Sequence, residues 1–246
     1  MEMKNINQFK IREWLDVQDI YLSEHYAELN PTWHEEDSPW KARQVRDIID
    51  RNNLEISSFC EVGCGTGEIL LNLTNSYPDV QFTGYEIAPH AYQRAKEKET
   101  SQLTFKFGDA LEEKNANFDV VLIADVIEHV EDYIGFVKGM KGFGRYKIFH
   151  IPLDLSVQSV FRGWPISNLR KNVGHIHYFF KDSALDALRD CGYSIIDFKY
   201  TASRLELPKQ ALSSRLMKLP RRLCFSVFPD WTVRVLGGYS LLVLAE

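Results

Sequence analysis

The chain has 246 residues, of which 45% are hydrophobic and 26% are charged, a composition typical of a globular domain. Its net charge of −5 at pH 7 argues against a general nucleic-acid binder, which normally carries a basic surface. No apolar run reaches the roughly 18 residues of a membrane span, and the first residues lack the apolar core of a secretory signal, so we expect a cytoplasmic protein.

In chain order, residues 1–50 predict a helical segment rich in aromatic side chains, ahead of an α/β domain over residues 51–246. From Ser57 to Tyr200, short β-rich runs alternate with helical patterns, which predicts βαβ units and a mainly parallel sheet. The predicted strands are 57–62, 81–86, 103–107, 118–124, 145–150, 193–200 and 238–245. Residues 151–180 and 201–236 are predicted inserts that reach the carboxyl edge of the sheet, where ligands bind.

Two of the predicted helices have residues that favour a helix start or a helix end. Pro89 suits the first turn of a helix over residues 89–99, where its missing N–H is not needed. Asp182 and Ser183 are good capping residues for a helix that reaches Arg189, and Gly192 is placed to end it.

A glycine-rich turn follows the first predicted strand. Gly63, Gly65 and Gly67 stand at alternate positions, where the absence of a side chain lets the backbone approach a bound molecule. The helix that begins near Gly67 points unpaired N–H groups back at this turn, which favours an anionic group there. An acid that holds a ribose is expected about 20 residues on, and Glu86 ends the second predicted strand.

The pattern Glu61-Val62-Gly63-Cys64-Gly65-Thr66-Gly67 resembles motif I of the class I S-adenosylmethionine-dependent methyltransferases. Phe107-Gly108-Asp109-Ala110 looks like the family's G-D-A segment, and Asp125-Val126-Ile127-Glu128-His129-Val130 is similar to the ubiquinone-type O-methyltransferase subgroup. The resemblance implies a Rossmann-like, seven-stranded, mostly parallel sheet with an antiparallel last strand and helices on both faces. It also implies S-adenosylmethionine as cofactor.

The resemblance assigns roles to individual residues. Glu86 is expected to bind the ribose, Asp109 the adenine amine, and Glu61 the methionine ammonium, unless Glu61 only braces the turn. Lys41 is expected to meet the methionine carboxylate, although a solvated helix face explains it equally well. The full expected cofactor set is Lys41, Glu61, Gly63, Cys64, Gly65, Gly67, Glu86, Ile87, Asp109, Ala110, Asp125 and Val126.

Three histidines are candidate catalytic residues: His129 after the fourth predicted strand, and His175 and His177 in an H-x-H segment. Imidazole titrates in the range useful for a general base. Each histidine could instead be structural. A metal site built from these residues and Glu128 is disfavoured, because zinc normally needs three or four convergent ligands and H-x-H alone does not supply them. We therefore expect no metal.

The expected function is methyl transfer to a small-molecule hydroxyl, such as a sugar or a phenol. Alternatives are a non-catalytic cofactor-binding subunit, an RNA methyltransferase and an NAD-dependent oxidoreductase, the last disfavoured by the glycine spacing. A monomer or homodimer is expected. The basic residues of the 201–236 insert predict a lid with a solvated face; a docking face for an anionic carrier and a peripheral membrane contact are the alternatives.

Overall fold

The computed structural model describes residues 32–33, 35–114, 116–207 and 218–246. Residues 1–31 and 34 of the predicted N-terminal segment, and residues 208–217 of the second insert, lie outside the described residues.

A seven-stranded sheet forms the centre of the molecule, with strand order β3-β2-β1-β4-β5-β7-β6. The strands are β1 Ser58–Val62, β2 Gln81–Glu86, β3 Leu103–Phe107, β4 Phe118–Ala124, β5 Gly144–Pro152, β6 Ile195–Thr201 and β7 Ser240–Ala245. All neighbours pair in parallel except β7, which is antiparallel to both β5 and β6. The predicted fold class is therefore confirmed, including the antiparallel last strand.

Helices cover both faces of the sheet, because residues of β4 alternate between two apolar cores. Val121 and Ile123 pack with helices α4 (Tyr133–Gly139) and α7 (Lys181–Asp190), whereas Val120 and Leu122 pack with α1 (Ser38–Arg51) and α2 (Glu68–Thr74). The helices are α1 Ser38–Arg51, α2 Glu68–Thr74, α3 Pro89–Lys96, α4 Tyr133–Gly139, α5 Val157–Arg162, α6 Trp164–Val173, α7 Lys181–Asp190, α8 Ser203–Glu206, α9 Lys218–Val227 and α10 Pro229–Leu236. Among the described residues, none of these helices combines the length and apolar character needed to cross a membrane.

Some predicted boundaries were wrong by a few residues. Helix α3 ends at Lys96, and α7 begins at Lys181, with Phe180 as the residue that precedes it. Ser183 still has a capping role, because its hydroxyl oxygen accepts a hydrogen bond from the Phe180 amide at 3.1 Å. Strand β5 continues to Pro152, because it pairs with β7 along its full second half.

Candidate functional site

A cavity of about 690 Å³ opens at the carboxyl edge of the sheet. It lies where β1 and β4 are adjacent and the strand order reverses, the position at which open α/β sheets bind ligands. Its walls come from α1, the turn after β1, the ends of β2 and β5, the loop after β4, the helices α5 and α6, and the start of β7. One cavity thus collects residues from most of the chain.

The glycine turn after β1 is bound to the end of β2. The amides of Gly63 and Cys64 both donate to the carbonyl of Tyr85, at 2.9 and 3.0 Å. The Gly65 amide donates to Glu86 Oε2 at 2.7 Å, and the Ala88 amide donates to Glu86 Oε1 at 2.8 Å. Each carboxylate oxygen can accept a further hydrogen bond. Glu86 is therefore held in place on the cavity wall with capacity for a ligand.

Glu86 is also buried, with 6% of its surface exposed. Burial raises the pKa of this carboxyl, although hydrogen bonds from the amides of Ala88 and Gly65 favour its charged form.

Glu61 lines the same cavity from the end of β1 and is only 1% exposed. Its Oε2 atom is buried without a hydrogen-bond partner in the described part of the chain. Burial raises the pKa of Glu61 well above its usual range, and the charges of Glu86 and Asp125 add to this, while Lys41 opposes it. A buried, unbonded carboxylate oxygen is costly in an empty site and is well suited to a ligand that brings a positively charged donor.

A chain of polar contacts joins α1 to the ends of β4 and β5. Lys41 Nζ lies 2.7 Å from Asp125 Oδ2, and His150 Nδ1 lies 2.7 Å from Asp125 Oδ1. His150 Nε2 in turn lies 2.9 Å from the hydroxyl of Thr201. Burial disfavours the charged carboxylate, but His150 and Lys41 hold the pKa of Asp125 well below its usual range. Asp125 is therefore an anion on the cavity wall.

The backbone of Asp125 has a φ of 55°, in the left-handed region that aspartate tolerates better than most residues. Its amide donates to the carbonyl of His150 at 3.0 Å. This turn directly after β4 places the Asp125 side chain between Lys41 and His150. Such strained positions cluster at functional sites.

The cavity wall also includes a cluster of Glu128, His129 and His175, whose potential ligand atoms all lie within 4.8 Å of one another. His175 Nδ1 lies 2.7 Å from Asp154 Oδ2, and His129 Nδ1 lies 3.2 Å from the carbonyl of Gly174. Glu128 is fully buried, and neither of its carboxylate oxygens makes a hydrogen bond to any residue that the structure describes. Burial raises the pKa of Glu128 well above its usual range, and the charge of Asp125 adds to this.

Several expected site residues stand apart from the cavity. His177 Nε2 bonds to the carbonyls of Val130 and Glu131, at 2.9 and 3.1 Å. Asp109 accepts from the Leu111 amide at 2.9 Å and begins a short 3₁₀ turn, in which Ala110 is buried.

The other expected residues line the cavity, with the exception of Gly67. Those that do are Lys41, Glu61, Gly63, Cys64, Gly65, Glu86, Ile87, Asp125, Val126, His129 and His175. Gly67 packs behind the turn, where a Cβ atom would lie 2.3 Å from Phe105 Cζ.

Sequence reasoning missed His150, Asp154 and Thr201. His150 lies between Phe149 and Ile151 in β5, and a polar residue between two apolar ones was the available signal. Its partners are 25 and 51 residues away along the chain, so no local pattern could predict the contacts.

Comparisons with known proteins agree with this architecture. Residues 60–143, about a third of the chain, match the family model described as "Methyltransferase domain". Norajmaline N-methyltransferase of Rauvolfia serpentina is 28% identical over 107 residues, which are 41% of this chain and 36% of that protein. Malonyl-[acyl-carrier protein] O-methyltransferase of Paenibacillus sp. (strain JDR-2) is 30% identical over 92 residues, 33% of each chain. This chain thus spans about a third of the length of the curated relatives it matches.

Among solved structures, magnesium protoporphyrin IX methyltransferase from Synechocystis PCC 6803, determined with bound SAH, superposes with a TM-score of 0.61. The two chains are 16% identical, and the match covers 93% of this chain and 97% of that one. The chain therefore has the Rossmann-like fold of methyltransferases of known structure.

Proposed function

We propose that this protein is a class I S-adenosylmethionine-dependent methyltransferase that methylates a hydroxyl group of a small molecule. The observation that carries the proposal is the pair of buried carboxylates, Glu61 and Glu86, beside the glycine turn on the wall of one cavity. The match of residues 60–143 to a methyltransferase domain supports methyl transfer as the reaction.

The residues of the cavity fit S-adenosylmethionine, which supplies an electrophilic methyl group on a sulfonium when it is bound. Glu86 accepts from the ribose hydroxyls, with its carboxylate already oriented by the Gly65 and Ala88 amides. The unbonded oxygen of Glu61 accepts from the ammonium group. Lys41 uses one of its three N–H donors on Asp125, so the others can bind the methionine carboxylate.

The adenine ring would lie beside Ile87. Ile87 is 38% exposed and lines the cavity next to Glu86, so it offers an apolar surface for the ring. The roles of Asp109 and Ala110 remain predictions.

The acceptor binds at the histidine end of the cavity. Leu153, Leu169 and Val173 line the same cavity as His129 and His175, which favours a partly apolar acceptor such as a phenol.

Asp154 orients the imidazole of His175 so that Nδ1 donates and Nε2 carries the lone pair. His175 or His129 can then accept the proton that the acceptor hydroxyl must lose. The choice of oxygen rests on the segment 125–128, which reads D-V-I-E where enzymes that methylate amide or exocyclic amine nitrogens carry N-P-P-[FY].

Other features remain predictions: a cytoplasmic monomer or homodimer, without a nucleic-acid substrate. A peripheral membrane contact through 201–236 is supported by Leu219 and Leu223, which are exposed on the basic helix α9.

A direct test incubates the protein with S-adenosylmethionine and a panel of phenols and sugars, and measures S-adenosylhomocysteine by mass spectrometry. We expect product that depends on an acceptor and is lost in His175→Gln, while cofactor affinity changes less than about threefold. Cofactor binding without turnover on any acceptor, including a deproteinised cell extract, would support a non-catalytic binding subunit instead.

A further inference from the structure

We propose that Glu128, His129 and His175 form a binding site for a divalent transition-metal ion at the acceptor end of the cavity. This departs from the expectation of no metal, which treated H-x-H as an isolated pair. In the structure, a different set of three residues lies close together: two come from the loop after β4 and one from the segment after α6.

The donor atoms converge on one point. Glu128 Oε1 lies 3.8 Å from His129 Nε2 and 4.0 Å from His175 Nε2. Bond lengths of about 2.0–2.2 Å place the donor atoms around a tetrahedral zinc ion about 3.3–3.6 Å apart. The site is therefore somewhat wider than a loaded one, and side-chain rotation toward the ion closes the difference.

Both imidazoles are oriented for metal binding. Nδ1 of His175 faces the Asp154 carboxylate, and Nδ1 of His129 faces the Gly174 carbonyl. A ring nitrogen that faces an acceptor carries the proton, so in each neutral ring the lone pair is on Nε2. A metal-bound histidine almost always donates its other N–H to a carboxylate or a carbonyl.

The backbone holds the two segments of the site together. The carbonyl of Glu128 accepts from the amides of Ile176 and His177, at 2.8 and 3.1 Å. Tyr178 adds a hydrogen bond from its hydroxyl to the carbonyl of His175 at 2.9 Å. The ligand residues are therefore fixed to each other before any ion binds.

Glu128 is the observation that points to a cation. Its side chain is fully buried, and both of its oxygens lack a hydrogen-bond donor among the described residues. Buried carboxylates are normally hydrogen-bonded, paired or metal-bound. A divalent cation would satisfy both the unbonded carboxylate and the two imidazoles.

Two imidazoles and one carboxylate suit Zn²⁺ and its first-row neighbours, whereas Mg²⁺ prefers oxygen ligands alone. Three protein ligands leave a coordination position open, as in catalytic zinc sites, and all three residues line the cavity. With the ion bound, the Nε2 lone pairs of His129 and His175 are used as ligands and neither ring acts as the general base. An acceptor hydroxyl in the open position would instead lose its proton because the ion lowers its pKa. This consequence rests on the proposed function, but the binding of the ion does not.

The test titrates tag-free, EDTA-treated protein with ZnCl₂ by calorimetry and measures bound zinc by elemental analysis. We expect one Zn²⁺ per chain, with Mg²⁺ at least about a hundredfold weaker. Glu128→Gln should weaken Zn²⁺ binding at least a hundredfold while S-adenosylhomocysteine still binds. His177→Gln is the matched control, because its ring bonds to the Val130 and Glu131 carbonyls, and it should retain zinc affinity within about twofold.

The proposed metal site would be overturned if the wild type bound no stoichiometric zinc, or if Glu128→Gln bound Zn²⁺ as tightly as the wild type does. If Glu128→Gln does not fold, the wild type loaded with Co²⁺ decides: ligand-field bands of protein-bound Co²⁺ support the site, and the spectrum of the aqueous ion overturns it. Zinc binding without methyl transfer supports the site and counts against the proposed function. Full methyl transfer by a protein that binds no metal overturns the proposed metal site but leaves the proposed function standing.

Discussion

Gly65 and Gly67 have left-handed backbones, with φ of +55° and +79°, but they face different surroundings. A Cβ atom at Gly65 would meet open space, whereas one at Gly67 would lie 2.3 Å from Phe105 Cζ. Alanine at either position has a backbone cost of about 1–2 kcal/mol. We expect Gly67→Ala to lose about 3 kcal/mol or more in urea unfolding, because overpacking adds to that cost. Gly65→Ala should lose less stability but bind S-adenosylhomocysteine at least tenfold more weakly. Equal stability of the two variants would contradict the packing.

We expect Glu61 to lower the stability of the ligand-free protein at neutral pH and to strengthen cofactor binding. Because burial raises its pKa, the folded protein holds this proton more tightly than the unfolded chain does. The tighter binding of this proton stabilises the folded protein fully below the usual pKa of 4.5. This stabilisation is lost as the pH rises through the higher pKa of Glu61 in the folded protein. Without ligand, Glu61→Gln should therefore be more stable than the wild type at pH 8, by about 1.4 kcal/mol per pKa unit. The difference should vanish near pH 4.

Thermal unfolding of both proteins across this pH range checks the expected trend. Calorimetry on the same samples should show that Glu61→Gln binds S-adenosylmethionine at least tenfold more weakly, because the ammonium loses its anionic partner. A stability difference that does not change with pH would show that Glu61 is not the titrating group.

At the scale of elements, helix α1 reaches the cavity through Lys41 and its contact with Asp125 after β4. Lys41→Met removes one charged partner of the anionic Asp125 and leaves its contact with His150. We expect a loss of about 2 kcal/mol in the free energy of unfolding, typical of a hydrogen bond between charged groups. Cofactor affinity should fall at least tenfold. Lys138→Met, at an exposed position of α4, is the control and should change neither quantity. If Lys41→Met matches that control, α1 has no part in the site.

For the whole molecule, the sequence predicted the sheet because two signals are local: β-rich runs alternate with helical patterns, and glycines mark the turns between them. It also predicted Glu61 and Glu86, because each stands at the end of a strand next to the turn. His150 was missed because a histidine within a strand gives no indication of its partner. The convergence of Glu128 and His175 depends on backbone pairing between residues 128 and 176–177, which no spacing rule contains.

A ligand held by α1, β1, β2 and β4 together should stabilise the entire domain. At a concentration one hundred times its Kd, S-adenosylhomocysteine should add about 2.7 kcal/mol to the free energy of unfolding. For a chain of this size the midpoint of thermal unfolding should then rise by about 5–10 °C. Scanning calorimetry with and without ligand measures the shift. Unchanged unfolding at saturating ligand would contradict the proposed site.

Isothermal titration of S-adenosylhomocysteine into the wild type, Glu86→Ala and Glu97→Ala tests the central claim most directly. Glu86 lies on the cavity wall, whereas Glu97 is an exposed residue after α3. The account predicts one site per chain, at least tenfold weaker binding in Glu86→Ala, and wild-type affinity in Glu97→Ala. Wild-type protein that releases no heat, or a Glu86→Ala variant that binds as tightly as Glu97→Ala, would contradict it.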